Sequence, residues 1–365
     1  MPKLHVIDEL LQKGIAEGVY PGAVLLVSVG GRTRYFRAVG CRCLVPCVEP
    51  METDTIFDLA SLTKPLATTL AAMKLVDEGR IHLDDPVDRA ISATLPEDKK
   101  GITLRMLLSH SAGFPDWKPF YRELAGAGKQ GLKSRLRELV MSEPLIYSPG
   151  KGTLYSDLGF VALEWFVERV CGGDLSTYLQ RHFYGPLSLK RTFLWSSSPV
   201  PPFGSGEFAA TEDCPWRNRV IRGEVHDENA FAAGAWSGHA GLFGTAAEVH
   251  SLVDLLRQHY RGDRDDCLRP ETVKTFFSRD VTFGNGTRAL GWDTPSRVDS
   301  SAGRFFSPNS VGHLGFTGTS VWMDLDKDAV IIFLTNRIHP SRANRKIRAF
   351  RPAIHDAVMT ALGLN

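Results

Sequence analysis

Hydrophobic and polar positions follow different periods in the first part of the chain. Charged and apolar residues interleave over positions 1–11, a pattern typical of an amphipathic helix. An unbroken apolar run at 22–29 predicts a buried strand. Gly30-Gly31 and the alternating residues at 32–39 then predict a second strand joined to the first by a two-residue hairpin turn.

The middle of the chain has helical periodicity, and the last third returns to strands. Further helices are predicted at 66–78, 103–109, 133–141, 159–170, 175–183, 246–259 and about 351–362. C-terminal strands are predicted at 290–292, 311–316, 319–324 and 329–335, with a hairpin at 324–328. Strands at both ends favour an α+β fold in which helices flank one sheet formed from both chain ends. We place a sheet domain at 1–65 and 241–365 and a mainly helical inserted domain at 66–240.

A serine and a lysine lie three residues apart at the predicted start of the first of these helices. Ser61 and Lys64 would face the same way, and a lysine in apolar surroundings can take the proton of a serine hydroxyl. Pro65 fits only in a first helical turn, where backbone N–H groups lack partners and suit a developing oxyanion. A helix-start serine beside a solvated lysine has the same spacing, so this pattern alone leaves both interpretations open.

A turn-rich loop at 147–154 leads to Tyr155, Ser156 and Asp157, just before a predicted helix. Taken alone, this is a capping arrangement, with Ser156 or Asp157 as the N-cap.

Two loop segments further on contain histidines and carboxylates whose roles stay open. They lack helical metal-ligand spacing such as H-E-x-x-H, so we expect a loop over a cleft and no metal site. The residues are His226, Asp227, Glu228 and His239.

Composition and charge argue against several classes of protein. The chain has 365 residues, 43% of them hydrophobic, which is enough for a substantial core. A net charge of +2 gives no overall attraction for nucleic acid or an anionic membrane, and no run approaches the ~20 apolar residues that span a bilayer. The first residues lack a signal-peptide pattern, so we expect a cytoplasmic location, or a periplasmic one if a leader was removed.

Cysteines and a basic C-terminal segment suggest no further function. The six cysteines are expected to be reduced thiols, and C-x-C-x3-C at 41–47 has no second pair to complete a zinc site. The arginines and lysine at 342–351 lack interleaved aromatic residues, which favours a solvated surface.

Three spaced elements together resemble the three motifs of the serine β-lactamase and penicillin-binding protein superfamily. They are Ser61-x-x-Lys64, Tyr155-Ser156-Asp157 and His313-Leu314-Gly315. Their order and spacing are most similar to the branch that contains class C β-lactamases, D-alanyl-D-alanine carboxypeptidases and esterases. The similarity covers nearly the whole chain and implies a β-lactamase/transpeptidase-like fold without a cofactor or metal.

The resemblance also implies roles for individual residues. Ser61 would be the acylated nucleophile, Lys64 its base and Tyr155 the proton shuttle to the leaving group. The backbone N–H groups of Ser61 and Phe316 would form the oxyanion hole, with Phe316 on the strand that follows Gly315. Glycine fits at position 315 because a substrate must approach this strand edge closely.

Two departures from the family motifs affect the expected substrate site, which comprises Asp157, His313 and Gly315. Asp157 stands where the family often has asparagine, and an ionised carboxylate only accepts hydrogen bonds. It should also favour the charged form of Lys64. His313 replaces the lysine of Lys-Thr-Gly, so a titratable charge stands in place of a fixed one.

We therefore expect a serine hydrolase that forms an acyl-enzyme from a small ester, amide or peptide, with esterase activity foremost. One alternative is a D-alanyl-D-alanine carboxypeptidase or a weak class C-like β-lactamase. Another is a penicillin-binding or peptide-sensing module without turnover. Turnover of a short-chain activated ester would separate an enzyme from a sensor, whereas the natural acyl group and the oligomeric state do not follow from the sequence.

Overall fold

The computed structural model describes residues 4–91, 95–126, 130–198, 202–283 and 288–365. The described helices are α1 (His5–Ala16), α2 (Leu70–Asp77), α3 (Leu104–Leu108), α4 (Tyr121–Leu124), α5 (Leu132–Ser142), α6 (Asp157–Cys171), α7 (Leu175–Leu179), α8 (Glu228–Ala232), α9 (Ala246–Arg261), α10 (Pro270–Phe277) and α11 (Ile347–Ala361). The described strands are β1 (Gly22–Val29), β2 (Arg32–Cys43), β3 (Glu49–Pro50), β4 (Phe57–Asp58), β5 (Phe193–Leu194), β6 (Asp213–Cys214), β7 (Arg219–Val220), β8 (Leu242–Gly244), β9 (Ser310–Leu314), β10 (Ser320–Asp324) and β11 (Ala329–Thr335).

Six strands from the two ends of the chain form the main sheet, in the order β3-β2-β1-β11-β10-β9. The pairing of β1 with β11 is antiparallel and runs from Ala23 opposite Thr335 to Val29 opposite Ala329. This arrangement agrees with the predicted sheet built from both chain ends.

The central strands are apolar at consecutive positions because both faces of the sheet are covered. Leu25 and Phe333 belong to a core cluster shared with α1 and α11, whereas Val24 and Ile332 belong to a second cluster shared with α9. The second cluster continues into α2 and α6, so both predicted domains contribute to one core. The domain boundaries at 65/66 and 240/241 stay predictions.

Two of the predicted C-terminal strands differ from the structure. The predicted strand at 290–292 is wrong, because the chain there makes only isolated bridges at its flanks and Gly291 has a φ of 75°. A Cβ at Gly291 would lie 2.0 Å from Thr69 Oγ1, so this glycine permits a close approach to the helix that carries Thr69. The predicted strand at 311–316 ends at Leu314, and Phe316 lies in the turn that follows it rather than on the strand.

Other segments are more ordered or more buried than their sequence indicates. The second of the two expected loop segments, residues 238–244 around His239, contains β8, which pairs with β4 and β5. The final helix begins at Ile347 and continues through Pro352. Arg351 is buried, so the expectation of a wholly solvated basic surface is wrong for this residue.

Two further observations concern the whole of the described chain. All six cysteines are free thiols. None of the helices in the described ranges combines the length and the apolar character needed to cross a membrane.

Candidate active site

Ser61 lies in a short 3₁₀ helix that is entered through a strained residue. Ala60 has a φ of 48°, in the left-handed region that a side chain disfavours by roughly 1–2 kcal/mol. Its N–H donates to Asp58 Oδ1 over 2.8 Å, while Asp58 Oδ2 accepts from the His226 N–H over 2.7 Å. The buried Asp58 carboxylate therefore holds the backbone turn that presents Ser61.

The segment after Ser61 is not one regular α-helix. Residues Lys64–Thr69 form a π-helical turn, with Pro65 in its first turn, before α2 begins at Leu70. The sequence predicted the serine and lysine to face the same way, and the structure brings the two side chains into contact through this less regular backbone.

Lys64 is fully buried, and its ammonium group has three hydrogen-bond acceptors. Nζ lies 3.0 Å from Ser61 Oγ, 2.6 Å from Asp157 Oδ1 and 3.2 Å from the backbone oxygen of His239. An ammonium group has three protons to donate, so these acceptors match its charged form.

The electrostatics of Lys64 also favour this charged form. Burial by itself lowers the pKa of the amine, but the Asp157 carboxylate and the Tyr155 phenol together raise it above its usual value. In the resting protein Lys64 therefore keeps its proton, and only a small neutral fraction is available as a base at neutral pH.

Tyr155 completes the group around the serine. Its hydroxyl is close enough to Lys64 and Ser61 for both residues to lower its pKa, and the Lys64 ammonium lies 4.8 Å from the centre of its ring. Burial raises the pKa of the phenol, and the opposing effect of the Lys64 charge is smaller. The resting state consequently contains a neutral phenol beside an ammonium ion.

The start of α6 positions both Tyr155 and Asp157. Ser156 is the N-cap, because its Oγ accepts from the Gly159 N–H over 3.0 Å and leaves Asp157 free to contact Lys64. The Ser156 N–H donates to Nδ1 of the buried His110, whose ring lies 4.6 Å from that of Tyr155. His110 was not identified from the sequence, since no motif spacing connects it to this loop.

The turn after β9 packs against the chain that leads into Ser61. Thr317 Oγ1 donates to the Asp58 backbone oxygen over 2.8 Å, and Thr319 Oγ1 donates to the Leu59 backbone oxygen over 3.1 Å. A Cβ at Gly315 would lie 2.6 Å from this same Leu59 oxygen, so only glycine permits the contact. In the part of the chain that the structure describes, the Phe316 N–H has no hydrogen-bond acceptor, as an oxyanion-hole donor requires.

Comparison with known proteins agrees with this arrangement of motifs. The beta-lactamase family profile matches residues 7–353. The chain belongs to the beta-lactamase family. The predicted β-lactamase/transpeptidase-like α+β fold is thereby confirmed.

Two curated relatives and two solved structures show the range of proteins similar to this family member. A "Putative D-alanyl-D-alanine carboxypeptidase" of Escherichia coli (strain K12) is 34% identical over 366 residues, covering 92% of this chain and 83% of the relative. An "N-acetylmuramyl-L-alanine amidase" of Bacillus subtilis (strain 168) is 32% identical over 369 residues, covering 92% and 81%. The structure of EstCE1, a hydrolase with promiscuous acyltransferase activity, has a TM-score of 0.72 and 25% identity, covering 95% of this chain and 97% of its own. The octameric penicillin-binding protein homologue from Pyrococcus abyssi has a TM-score of 0.73 at 20% identity, covering 100% and 78%, which shows the fold alone.

An acidic cluster in this beta-lactamase family member, formed by Asp157, Asp227 and His239, lies beside Lys64. Their ligand atoms are within 4.8 Å of one another, a spacing that could hold a metal ion. However, the Lys64 ammonium already contacts Asp157, and His239 Nε2 lies 3.0 Å from Asp227 Oδ1. Burial lowers the pKa of His239, but the charge and hydrogen bond of Asp227, together with the charge of Asp157, raise that pKa above its usual value. Positive charges of the protein therefore pair with both carboxylates of this cluster.

A basic cluster, formed by Arg288, His110 and His313, lies beside the ring of Tyr155. Burial, together with the charges of Lys64 and Arg288, holds the pKa of His313 well below its usual value. Its Nδ1 donates to the Leu314 backbone oxygen over 2.9 Å. The titratable positive charge expected at His313 is thus not present at neutral pH.

The fixed positive charge of this region belongs to Arg288, a residue that the sequence motifs did not reveal. Its guanidinium carbon lies 5.0 Å from the centre of the Tyr155 ring, and Nη1 lies 3.7 Å from Asp293 Oδ1. The side chain is 22% exposed, so it remains within reach of a bound molecule.

His226 and Glu228 lie behind the Phe316 turn rather than among the polar contacts of Ser61. The His226 ring stacks on Phe316 with ring centres 5.6 Å apart, and its Nε2 lies 3.0 Å from Glu212 Oε2. Arg342 joins Glu212 and Glu228 with distances of 2.7 Å. This network gives the two residues a structural position next to the turn that carries the Phe316 N–H.

Proposed function

We propose that the protein is a serine hydrolase that forms an acyl-enzyme on Ser61, with esters as the substrates that it turns over best. The contact of 3.0 Å between Nζ of the buried Lys64 and Oγ of the partly exposed Ser61, beside the partly exposed Tyr155, is the observation that carries this proposal. Membership of a family of hydrolases supports it.

The proposed cycle moves one proton through the Lys64 and Tyr155 pair. In the minor form of the site, in which Lys64 is a neutral amine, Ser61 Oγ attacks the carbonyl carbon and gives its proton to this amine, and the oxyanion is stabilised by the backbone N–H groups of Ser61 and Phe316. The bond to the leaving alcohol breaks as Tyr155 delivers a proton to the alcohol oxygen. Water then attacks the acyl carbon, gives a proton to the same pair, and the acid leaves as Ser61 regains its proton.

The second motif supports esters over amides and β-lactams. Asp157 stabilises the ammonium form of Lys64, which leaves little neutral amine to act as a base. As an acceptor it also has no proton to donate to the carbonyl oxygen of an acylamido group. Esters have better leaving groups than amides, so they suit a weakly activated serine. Gly315 and His313 are proposed to line the position of the substrate.

A second candidate, D-alanyl-D-alanine carboxypeptidase activity, is favoured by two observations. One is the 34% identity to relatives with that name. The other is Arg288, whose positive charge near Tyr155 suits the terminal carboxylate of a peptide, a role for which neutral His313 is unsuited.

The central test is covalent labelling of the serine. A fluorophosphonate should add one label by intact-mass measurement, which peptide mapping should locate at Ser61 and which Ser61→Ala should abolish. Ser237→Ala changes another serine near the site and should keep the label. A label on a different serine, or one that survives in Ser61→Ala, would falsify the assignment.

A substrate panel then separates the candidate functions. We expect kcat/KM to fall from a short-chain activated ester, through a D-alanyl-D-alanine peptide, to a chromogenic cephalosporin. A peptide turned over faster than the ester would favour the carboxypeptidase. Labelling of Ser61 without turnover of any of the three would instead favour a penicillin-binding or peptide-sensing module.

A further inference from the structure

A second group of metal-ligating side chains lies outside the active site, at the end of α9 and in the loop that leads to α10. Nε2 of His259 is 3.1 Å from Cys267 Sγ and 3.4 Å from Asp266 Oδ1. All three ligand atoms are within 4.8 Å of one another. The proposed hydrolase mechanism uses none of these residues.

Both distances from His259 Nε2 are near those of a tetrahedral ion. Bonds of ~2.0–2.3 Å to nitrogen, oxygen and sulfur place the ligand atoms of a tetrahedral site roughly 3.3–3.6 Å apart. The spacing between His259 and Asp266 already fits, and the one between His259 and Cys267 needs to widen by only a few tenths of an ångström. One nitrogen, one sulfur and one carboxylate oxygen form a set that Zn²⁺ accepts, whereas Mg²⁺ and Ca²⁺ prefer oxygen alone.

The backbone holds these three residues in place. His259 is fully buried in the last turn of α9, which ends at a left-handed Gly262 with a φ of 75°. This turn directs the following residues back toward the histidine. At the far end of the loop, Lys74 Nζ donates to the Cys267 oxygen over 2.8 Å, and the Arg269 N–H donates to Asp77 Oδ1 over 2.9 Å.

We propose that His259, Asp266 and Cys267 bind one Zn²⁺ ion, with water in the fourth position. On binding, the Cys267 thiol loses its proton to solvent as the Zn–S bond forms. The ion connects the end of α9 to the loop before α10 and so stabilises this edge of the protein.

Arg264 makes the proposal specific because it competes for one of the ligands. Its Nε and Nη2 each lie 2.6 Å from an oxygen of Asp266, and its side chain is 39% exposed. An incoming ion must displace this guanidinium or share the carboxylate with it. Removing the arginine side chain should therefore tighten metal binding rather than weaken it.

The test uses the full chain, freed of metal with a chelator and titrated with Co²⁺ as a spectroscopic substitute for Zn²⁺. One equivalent should produce the charge-transfer absorption of a cobalt–thiolate bond, and Zn²⁺ should abolish it by competition. Cys267→Ser should lose this band, whereas Cys171→Ser should keep it. Cys47→Ser should also keep the band, which would show that the ion does not bind to the cysteine-rich segment at 41–47. Absence of the band, or its persistence in Cys267→Ser, overturns the proposal.

Variants at the surface keep the test decisive if Cys267→Ser does not fold. Asp266→Asn should weaken Co²⁺ binding by about tenfold or more, and Arg264→Gln should strengthen it severalfold. Asp265→Asn, a change of the neighbouring exposed carboxylate, should leave the affinity unaltered. Equal Co²⁺ affinities in wild type and in these three variants would contradict the assignment of Asp266 as a ligand. Ester turnover is expected to be the same in Asp266→Asn and wild type, so this result is independent of the proposed hydrolase function.

Discussion

His239 and His313 are both buried near Lys64, yet their surroundings favour opposite charge states. In the acidic cluster, Asp227 raises the pKa of His239 above its usual value. In the basic cluster, burial and the charges of Lys64 and Arg288 hold the pKa of His313 well below it. The same side chain is thus stabilised as a cation at one end of the site and as a neutral ring at the other.

This difference separates two tasks within the site. The acidic cluster stabilises the charge of Lys64 through Asp157. The backbone oxygen of His239, in the same cluster, accepts a further hydrogen bond from Lys64. The basic cluster contacts Tyr155, through His110 and Arg288, and places a positive charge where a substrate carboxylate could bind. Changes in the first cluster should therefore alter the pH dependence of the chemistry, and changes in the second should alter substrate preference.

The largest effect is expected where the two clusters meet, at Lys64 and Tyr155. Lys64→Ala and Tyr155→Phe should each lower kcat for an activated ester by about 10² or more, the scale for loss of a general base or acid. Because both residues serve one proton path in the proposed mechanism, the double variant should be little worse than the poorer single variant. Steady-state kinetics of the four proteins measures this coupling, and full additivity would show that the two residues act independently.

Removing the charge of the acidic cluster should shift the pH profile. Asp157→Asn deletes a carboxylate that raises the pKa of Lys64, so the neutral amine should form at lower pH. We expect the rising limb of kcat/KM to move down by about one pH unit or more, the scale for an adjacent opposite charge. The ratio of cephalosporin to ester turnover should also rise.

Asp116→Asn is the control for this change, since Asp116 is another carboxylate near the start of α6 and its backbone oxygen accepts from the Asp157 N–H. Its profile should match that of wild type. An unchanged profile in Asp157→Asn would mean that this carboxylate does not govern the base.

Removing the charge of the basic cluster should change substrate selectivity. It should shift the rising limb of kcat/KM against pH less than Asp157→Asn does. Arg288→Gln should lower kcat/KM for a carboxylate-bearing ester by about tenfold, the equivalent of roughly 1.4 kcal/mol, and leave a neutral ester nearly unaffected. His313→Gln, which replaces a neutral ring, should show no such discrimination. If His313→Gln reduced only the carboxylate substrate, the positive charge would have been assigned to the wrong residue.

The smallest effect should appear in stability. Because the folded-state pKa of His239 is raised, its ion pair with Asp227 contributes fully below the ordinary histidine value of 6.5 and is lost as pH rises through the raised pKa. Asp227→Asn removes this charge but keeps an N-cap acceptor for the Ala230 N–H. Urea unfolding should therefore show a larger difference between wild type and variant near pH 6 than near pH 9, by about 1 kcal/mol. A difference that did not vary with pH would refute a charged pair.

The sequence contained enough information for the fold class and for the contact between Ser61 and Lys64. Local spacing encodes both, since strand runs at the two ends of the chain and a serine three residues before a lysine need no long-range knowledge. It also placed Asp157 near Lys64, although only by resemblance to a family.

Arg288 and His110 could not be predicted in the same way. Each contacts Tyr155 only because distant segments meet in the folded chain, and neither occurs in a recognisable spacing. The position of Phe316 was also missed, because the turn that ends β9 depends on contacts of Gly315 and Thr319 with Leu59, more than 250 positions earlier in the chain.

The left-handed backbone of Ala60 has a consequence for the mutational history of the site. At a φ of 48° and with little exposed surface, this position accepts glycine readily, alanine at some cost in stability, and branched side chains hardly at all. The residue immediately before the proposed nucleophile is therefore confined to a very small part of sequence space. Deep mutational scanning should show position 60 to be nearly as intolerant as Ser61 itself, although no atom of its side chain takes part in the proposed reaction.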